Sequence, residues 1–168
     1  MKVSIIYFSL SGRTGLLAEH AAGYLQSENL EVDICRLESR ETGSFVKNCM
    51  YAFRKKQVKL ESLPQVADSE IVLLGSPVWA FDIAPAMRTF IVNTDLSGKK
   101  VFAFLTYGSG RGKDRAMDAF CKLAEEKGAV IIGRADARGR KVNEEFPHFR
   151  GVLEQCLRKL QLKKPRGQ

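Results

Sequence analysis

A chain of 168 residues fits one domain and can bury a sizeable core without disulfide or metal staples. With 45% hydrophobic and 27% charged residues it has an ordinary globular composition, and no internal repeat or low-complexity tract divides it. Lys and Arg total 27 against 19 Asp and Glu, and the net charge of +8 attracts anions (nucleotide cofactors, acidic proteins, nucleic acid or a phospholipid surface) without choosing among them.

The run from Lys2 to Phe8 is short, β-branched and aromatic, and ends at a Ser/Gly cluster, which predicts a buried strand. That cluster, Ser9, Ser11, Gly12 and Arg13, interrupts the apolar run too early for a signal-peptide core or a membrane span. The expected location is therefore cytoplasmic, with no membrane span. Leu17, Ala21, Tyr24 and Leu25 recur at helical spacing and predict an amphipathic helix from Thr14 to Ser27.

Leu30 to Leu37 reads as a second strand, and Val46, Cys49, Met50 and Phe53 mark one face of a second helix that ends in Arg54, Lys55 and Lys56. Ser69 to Gly75 carries the continuous apolar run of a strand covered on both faces. Pro85 suits the first turn of a third helix, where its missing N–H costs nothing, and Met87, Phe90 and Ile91 supply the inward face.

Lys100 to Tyr107 predicts a fourth strand. Met117, Phe120, Cys121 and Ala124 face inward from a fourth helix that stops at Gly128, and Ala129 to Ala135 predicts a fifth strand. Asn143 is a good helix cap, with Glu144 and Glu145 in the first turn where the dipole favours negative charge. Phe149, Val152, Leu153, Cys156, Leu157 and Leu160 then form an apolar stripe. Five strands alternating with five helices predict an α/β domain over residues 1–162, a doubly wound five-stranded parallel sheet with helices on both faces, followed by a basic tail at 163–168.

In such a sheet, ligands bind outside the carboxyl ends of the strands where the strand order reverses. The loop after the first strand, Ser9 to Gly15, offers the hydroxyls of Ser9, Ser11 and Thr14, the flexible Gly12, and the free N–H groups of the oncoming helix, which with the helix dipole favour an anion. It is neither the phosphate loop of nucleotide triphosphatases nor GxGxxG, and by itself it is equally a turn with a helix cap. The loop after the third strand, from Gly75 to Pro85, holds the only tryptophan, Trp79, beside Pro77, either covering a flat ring or packing onto the third helix. The loop after the fourth strand, Thr106 to Asp114, has three glycines that let backbone approach a ligand closely.

These three loops, in this order, resemble the flavodoxin family and its FMN-dependent NAD(P)H and quinone reductase relatives. Ser9-Leu10-Ser11-Gly12-Arg13-Thr14 is similar to the family's phosphate loop. Gly75-Ser76-Pro77-Val78-Trp79, followed by Pro85 to Ile91, is similar to the flavin-ring loop and helix of the reductase branch, and Gly108 to Gly112 is similar to the third flavin loop. The resemblance implies a flavodoxin-like sheet of strand order 2-1-3-4-5 and an FMN cofactor. It implies that Ser9, Ser11, Gly12, Arg13, Thr14 and Gly15 hold the phosphate, that Pro77, Val78, Trp79 and Ala80 line one side of the ring, and that Tyr107, Gly108, Ser109 and Gly110 line the other. Arg111 would stabilise the reduced ring if it reached the N1/O2 edge. Two departures stand out: Ala116 and Met117 lie near the place where flavodoxins put an aromatic, and this chain is basic where electron-carrier flavodoxins are acidic.

Cys35, Cys49, Cys121 and Cys156 are widely spaced and read as buried reduced thiols. Neither His20 nor His148 falls in the three loops, so no catalytic triad or metal site is expected. The expected function is electron transfer through bound FMN. The alternatives are an FMN-dependent NAD(P)H:quinone-type oxidoreductase and a binding module of the same fold without flavin. The expected partners are FMN and either NAD(P)H or an acidic redox protein, not nucleic acid, and the chain would be a monomer or a homodimer.

Overall fold

The computed structural model describes residues 1–42 and 44–163. The elements run β1 (Lys2–Tyr7), α1 (Arg13–Ser27), β2 (Glu31–Arg36), α2 (Phe45–Phe53), β3 (Ile71–Trp79), β4 (Asp82–Ile83), α3 (Pro85–Val92), β5 (Lys100–Tyr107), α4 (Lys113–Glu126), β6 (Val130–Arg138) and α5 (Val142–Lys163). Five strands form a parallel sheet in the spatial order β2-β1-β3-β5-β6, and β4 is a two-residue antiparallel appendage of β3. With that appendage set aside, the order is the expected 2-1-3-4-5, and the winding reverses between β1 and β3. Helices α1 and α5 cover one face, and α2, α3 and α4 the other. Lys163 closes α5, so most of the expected tail, 164–168, lies outside the described residues.

The central strands are apolar on both faces because helices cover both. Val3, Ile5, Val72, Leu73, Leu74, Phe102 and Phe104 are all fully buried. Phe102 and Phe104 meet Phe149 of α5 edge-on, with ring centroids 5.7 Å apart in each pair. Pro85 begins α3 at its first turn, and Gly128 follows α4 with φ at 85°, as the sequence predicts.

Four local features differ from expectation. On α2, the expected face of Val46, Cys49, Met50 and Phe53 does not turn inward as a unit: Val46 is 76% exposed, Met50 44% and Phe53 73%. The buried positions are Asn48 and Ala52, a polar residue and a small one, which give little hydrophobic signal. Strand β3 runs four residues further than expected, to Trp79. Pro77 fits there because the ladder to β1 has already ended at Tyr7 opposite Gly75, leaving few backbone donors in use. Strand β6 continues to Arg138, where Arg134, Asp136 and Arg138 alternate with small alanines and hide the strand pattern. Asn143 lies inside α5, with its Oδ1 2.8 Å from His20 Nε2 of α1, and Glu145 Oε2 instead accepts the Arg138 N–H.

The four cysteines are free. Cys121 is buried and the other three half-buried, and burial pushes all four thiols above their ordinary range. Among the described residues no group of His, Cys, Asp and Glu could hold a metal ion, and no helix is long and apolar enough to cross a membrane.

The β3–β4 hairpin is tight. Val78 pairs with Ile83 and Trp79 with Asp82, leaving Ala80 and Phe81 as the two turn residues, both left-handed at φ 46° and 66°. Asn and Gly normally fill such a turn, so these side chains hold backbone strain of order 1–3 kcal/mol each. Three contacts hold the hairpin. Asp82 Oδ2 pairs with Arg88 Nη2 at 2.7 Å in a nearly buried ion pair, Ser76 Oγ accepts the Ala84 N–H, and the Phe81 ring covers Gly112.

Replacing Ala80 with Gly relieves its left-handed strain and should raise stability in urea by about 0.5–1 kcal/mol, net of the extra freedom of the unfolded chain. Gly75→Ala works the other way, because an added Cβ would sit 2.1 Å from the Phe104 ring inside the sheet; a loss of about 1–3 kcal/mol is expected in the same measurement.

Candidate functional site

The register that ends β1 at Tyr7 lets β3 and β5 stand beyond it at the carboxyl edge of the sheet, with Pro77 opposite Thr106. In the step this leaves, the chain turns from β1 into α1. Phe8 N–H donates to the Gly75 carbonyl, and Arg36 Nη2 donates to the Ser9 carbonyl at 2.8 Å, so the loop is anchored on both sides. Gly12 precedes α1 at φ 82°, a conformation that favours glycine, and open space surrounds it where a Cβ would be.

No side chain caps the N-terminus of α1, and no acidic residue stands in its first turn, whereas α4 has Asp114 there and α5 has Glu144 and Glu145. The first N–H groups of α1 therefore remain free and positively polarised. Leu16 N–H bonds the Gly12 carbonyl and begins the helical ladder, which leaves the donors of Arg13, Thr14 and Gly15 without helical partners. Within this loop Ser9 Oγ is buried with no hydrogen-bond partner. An uncapped helix start and an orphaned buried hydroxyl in one loop are what an anionic group would satisfy.

A cleft of about 370 Å³ opens above this step, bordered by Leu10, Ser11, Arg13, Thr14, Pro77, Val78, Trp79, Thr106, Tyr107, Gly108, Ser109 and Gly139. The structure thus brings nine of the fourteen expected residues, from all three expected loops, to one cavity: Ser11, Arg13, Thr14, Pro77, Val78, Trp79, Tyr107, Gly108 and Ser109. The other five, Ser9, Gly12, Gly15, Ala80 and Gly110, lie outside the lining. Gly15 is packed under the Tyr7 ring, where an added Cβ would lie 3.3 Å from it. Gly110 backs the Tyr107 ring, and Ala80 holds the turn of the hairpin.

Trp79 is only 6% exposed, with its ring edge-on to Phe8 at 5.4 Å, so it forms a wall of the cleft fixed from behind. Tyr107 is half-buried and also borders the cleft, with Lys113 Nζ 5.4 Å from its ring centre. Lys113 is itself neutralised by Asp136 at 2.8 Å and Asp114 at 3.3 Å, and the hydrogen bond to Asp136 holds its ammonium above the ordinary lysine range. Ala116 and Met117 are buried in the core and do not face the cleft. Arg111 is exposed and outside the lining.

Three lining residues lay outside the expected set. Leu10 sits within the first loop but lacks the hydroxyl or glycine that drew attention to its neighbours. Thr106 is a strand residue, read as part of the sheet. Its hydroxyl is 2.7 Å from that of Thr14, a buried pair joining the start of α1 to the end of β5. Gly139 arrives from a fourth loop because β6 is longer than it reads, and its backbone lies against Arg13, whose Cδ is 2.7 Å from where a glycine Cβ would be. The charged and small residues from Arg134 to Arg138 gave no apolar signal for that extension.

A cleft with an anion-binding helix start at one end and aromatic walls at the other fits a flat ring carrying a phosphate. The model of the NADPH-dependent FMN reductase family matches residues 1–140 of this chain. A flavodoxin from Megasphaera elsdenii is 27% identical over 137 residues, covering 79% of this chain and 83% of its own. A flavoprotein from Lactobacillus acidophilus, solved in complex with FMN, superimposes with a TM-score of 0.63 at 22% identity, over 85% of this chain and 97% of that one. Oxidised Flavodoxin 2 from Bacillus cereus does so at 0.62 and 20% identity, over 92% and 99%. The chain shares the fold of these flavoproteins, and it belongs to the FMN-binding family described as NADPH-dependent FMN reductase.

Proposed function

We propose that the protein transfers electrons through FMN held in this cleft, with the phosphate at the start of α1 and the ring between Trp79 and Tyr107. The observation that carries this reading is the uncapped α1 N-terminus in the same loop as the orphaned Ser9 hydroxyl, opening onto a cavity that Trp79 and Tyr107 both border. Bound FMN would supply reversible one- and two-electron chemistry.

The chain's own residues do the rest. The α1 N–H groups and the Ser11 and Thr14 hydroxyls hold the phosphate, and Arg13 adds a positive charge beside them. Thr106 keeps the Thr14 hydroxyl in place through their 2.7 Å contact. Trp79, stiffened by Phe8, and the backbone of Gly108 and Ser109 bound the ring and exclude water.

The description of the family model favours a second reading, in which NAD(P)H delivers a hydride to the same site and a quinone-type acceptor removes the electrons. Two experiments separate these possibilities. Purified protein titrated with FMN should turn yellow and hold the flavin, and Thr14→Val should raise the Kd about ten-fold or more through loss of one buried hydroxyl contact; a wild-type protein that takes up no FMN would sink the proposal. Anaerobic mixing of the holoprotein with NADPH or NADH then decides the donor. Slow or absent bleaching is expected for a carrier that exchanges electrons with proteins, and rapid bleaching by either nucleotide would establish the reductase.

A further inference from the structure

The exposed face of α2 is the largest feature that the cofactor site leaves unexplained. Val46 and Phe53 are about three-quarters exposed and Met50 nearly half, an apolar stripe left largely open to solvent. The segment from Arg40 to Glu61 carries six basic side chains and two acidic ones, a net of +4 that accounts for half of the chain's +8.

Its cations are also unusually free. Lys47, Arg54, Lys55, Lys56 and Lys59 form no ion pair among the described residues; Lys47 and Lys56 lie over the Tyr51 ring at 5.3 and 4.4 Å. The acids of the segment are already engaged, Glu61 by Arg40 at 3.1 Å and Glu41 by the Lys59 N–H at 2.7 Å. Elsewhere on the surface several cations are paired, Lys113 with Asp136, Arg134 with Asp118 and Lys141 with Glu144.

The face also has a position suited to electron exchange. Helix α2 packs against β4, the hairpin strand next to the Trp79 wall, and against the turn at Arg40–Thr42. A groove lined by Ser9, Leu10, Arg36, Glu38 and Glu61 runs from the rim of the cleft toward that turn. A protein seated on α2 would therefore lie beside the ring end of the site.

We propose that the α2 face docks an acidic electron-carrier protein, with Val46, Met50 and Phe53 as the apolar centre of the contact and Arg54, Lys55, Lys56 and Lys59 as its cationic rim. An apolar centre ringed by one sign of charge is the usual anatomy of a transient, electrostatically steered interface. A second copy of this chain would present +4 to +4 across the contact, which disfavours self-association through it. This inference rests on the cofactor reading above: each productive encounter oxidises the partner's redox centre by one electron, which passes to the cofactor in the cleft.

A small acidic iron–sulfur ferredoxin is the probe. Titrated into isotope-labelled protein at about 20 mM salt, it should shift backbone resonances of α2 and residues 54–59, with affinity falling at least ten-fold by about 300 mM salt. The double variant Lys55→Glu, Lys56→Glu should abolish the shifts and slow electron exchange at least ten-fold, and Phe53→Ser should weaken binding several-fold. FMN uptake and bleaching by dithionite should be unchanged in both variants, which shows that the fold and the cofactor site are intact. Binding that maps elsewhere, or survives the charge reversal, overturns the proposal. So does absence of binding at low salt, or attachment to phosphatidylserine vesicles that Phe53→Ser abolishes while ferredoxin is ignored. If no FMN is taken up, the cofactor reading fails by itself, and the resonance shifts still decide the docking surface.

Discussion

The site depends on a difference in strand length. In the parallel ladder β1 ends at Tyr7 opposite Gly75, while β3 continues to Trp79 and β5 to Tyr107, still paired to Arg138 of β6. The sheet edge therefore has a step in it, located where the winding reverses and where two successive crossovers lead away in opposite directions. The loop after β1 turns into a helix inside that step, so the free end of α1 faces the raised ends of β3 and β5. Lengthening β1 by two residues would fill the step, and shortening β3 would remove its wall.

Electrostatics follow from the same arrangement. The starts of α4 and α5 are balanced by acidic residues, but α1 has none, and its cap position is a left-handed glycine with no side chain to offer. Its N–H groups thus stay available to a ligand. A net charge of +8 raises the local concentration of anions over the whole surface, and Arg13 stands in the cleft lining beside the free N–H groups of α1. An anion at this edge would meet backbone donors with the Arg13 side chain beside them, whereas the unpaired charge of α2 lies on a separate face.

The walls are stiff for separate reasons. Trp79 is held edge-on by Phe8 and by its strand, while the turn that follows it stores strain at Ala80 and Phe81 and is held in place by the Asp82–Arg88 pair. Phe81 closes over Gly112, tying the hairpin to the loop after β5. Two of the three loops bordering the cleft thereby brace one another, and a ligand there would meet a shape largely formed in advance.

Much of this was readable from residue order. Alternating apolar runs and amphipathic stripes set the α/β class, and the Ser-Gly-Thr loop with the later Trp and glycine clusters placed three ligand loops on one edge, because side-chain periodicity and backbone flexibility are local properties. Other features needed the third dimension. That Leu10, Thr106 and Gly139 join the cleft depends on strand lengths and register, which are set by pairing between distant segments. The outward turn of Val46, Met50 and Phe53 depends on which side of a nine-residue helix meets the core, and with apolar residues available to more than one face the sequence alone could not orient it. Hydrophobicity says that a residue gains by burial; only the packed structure decides whether something of this chain is there to bury it.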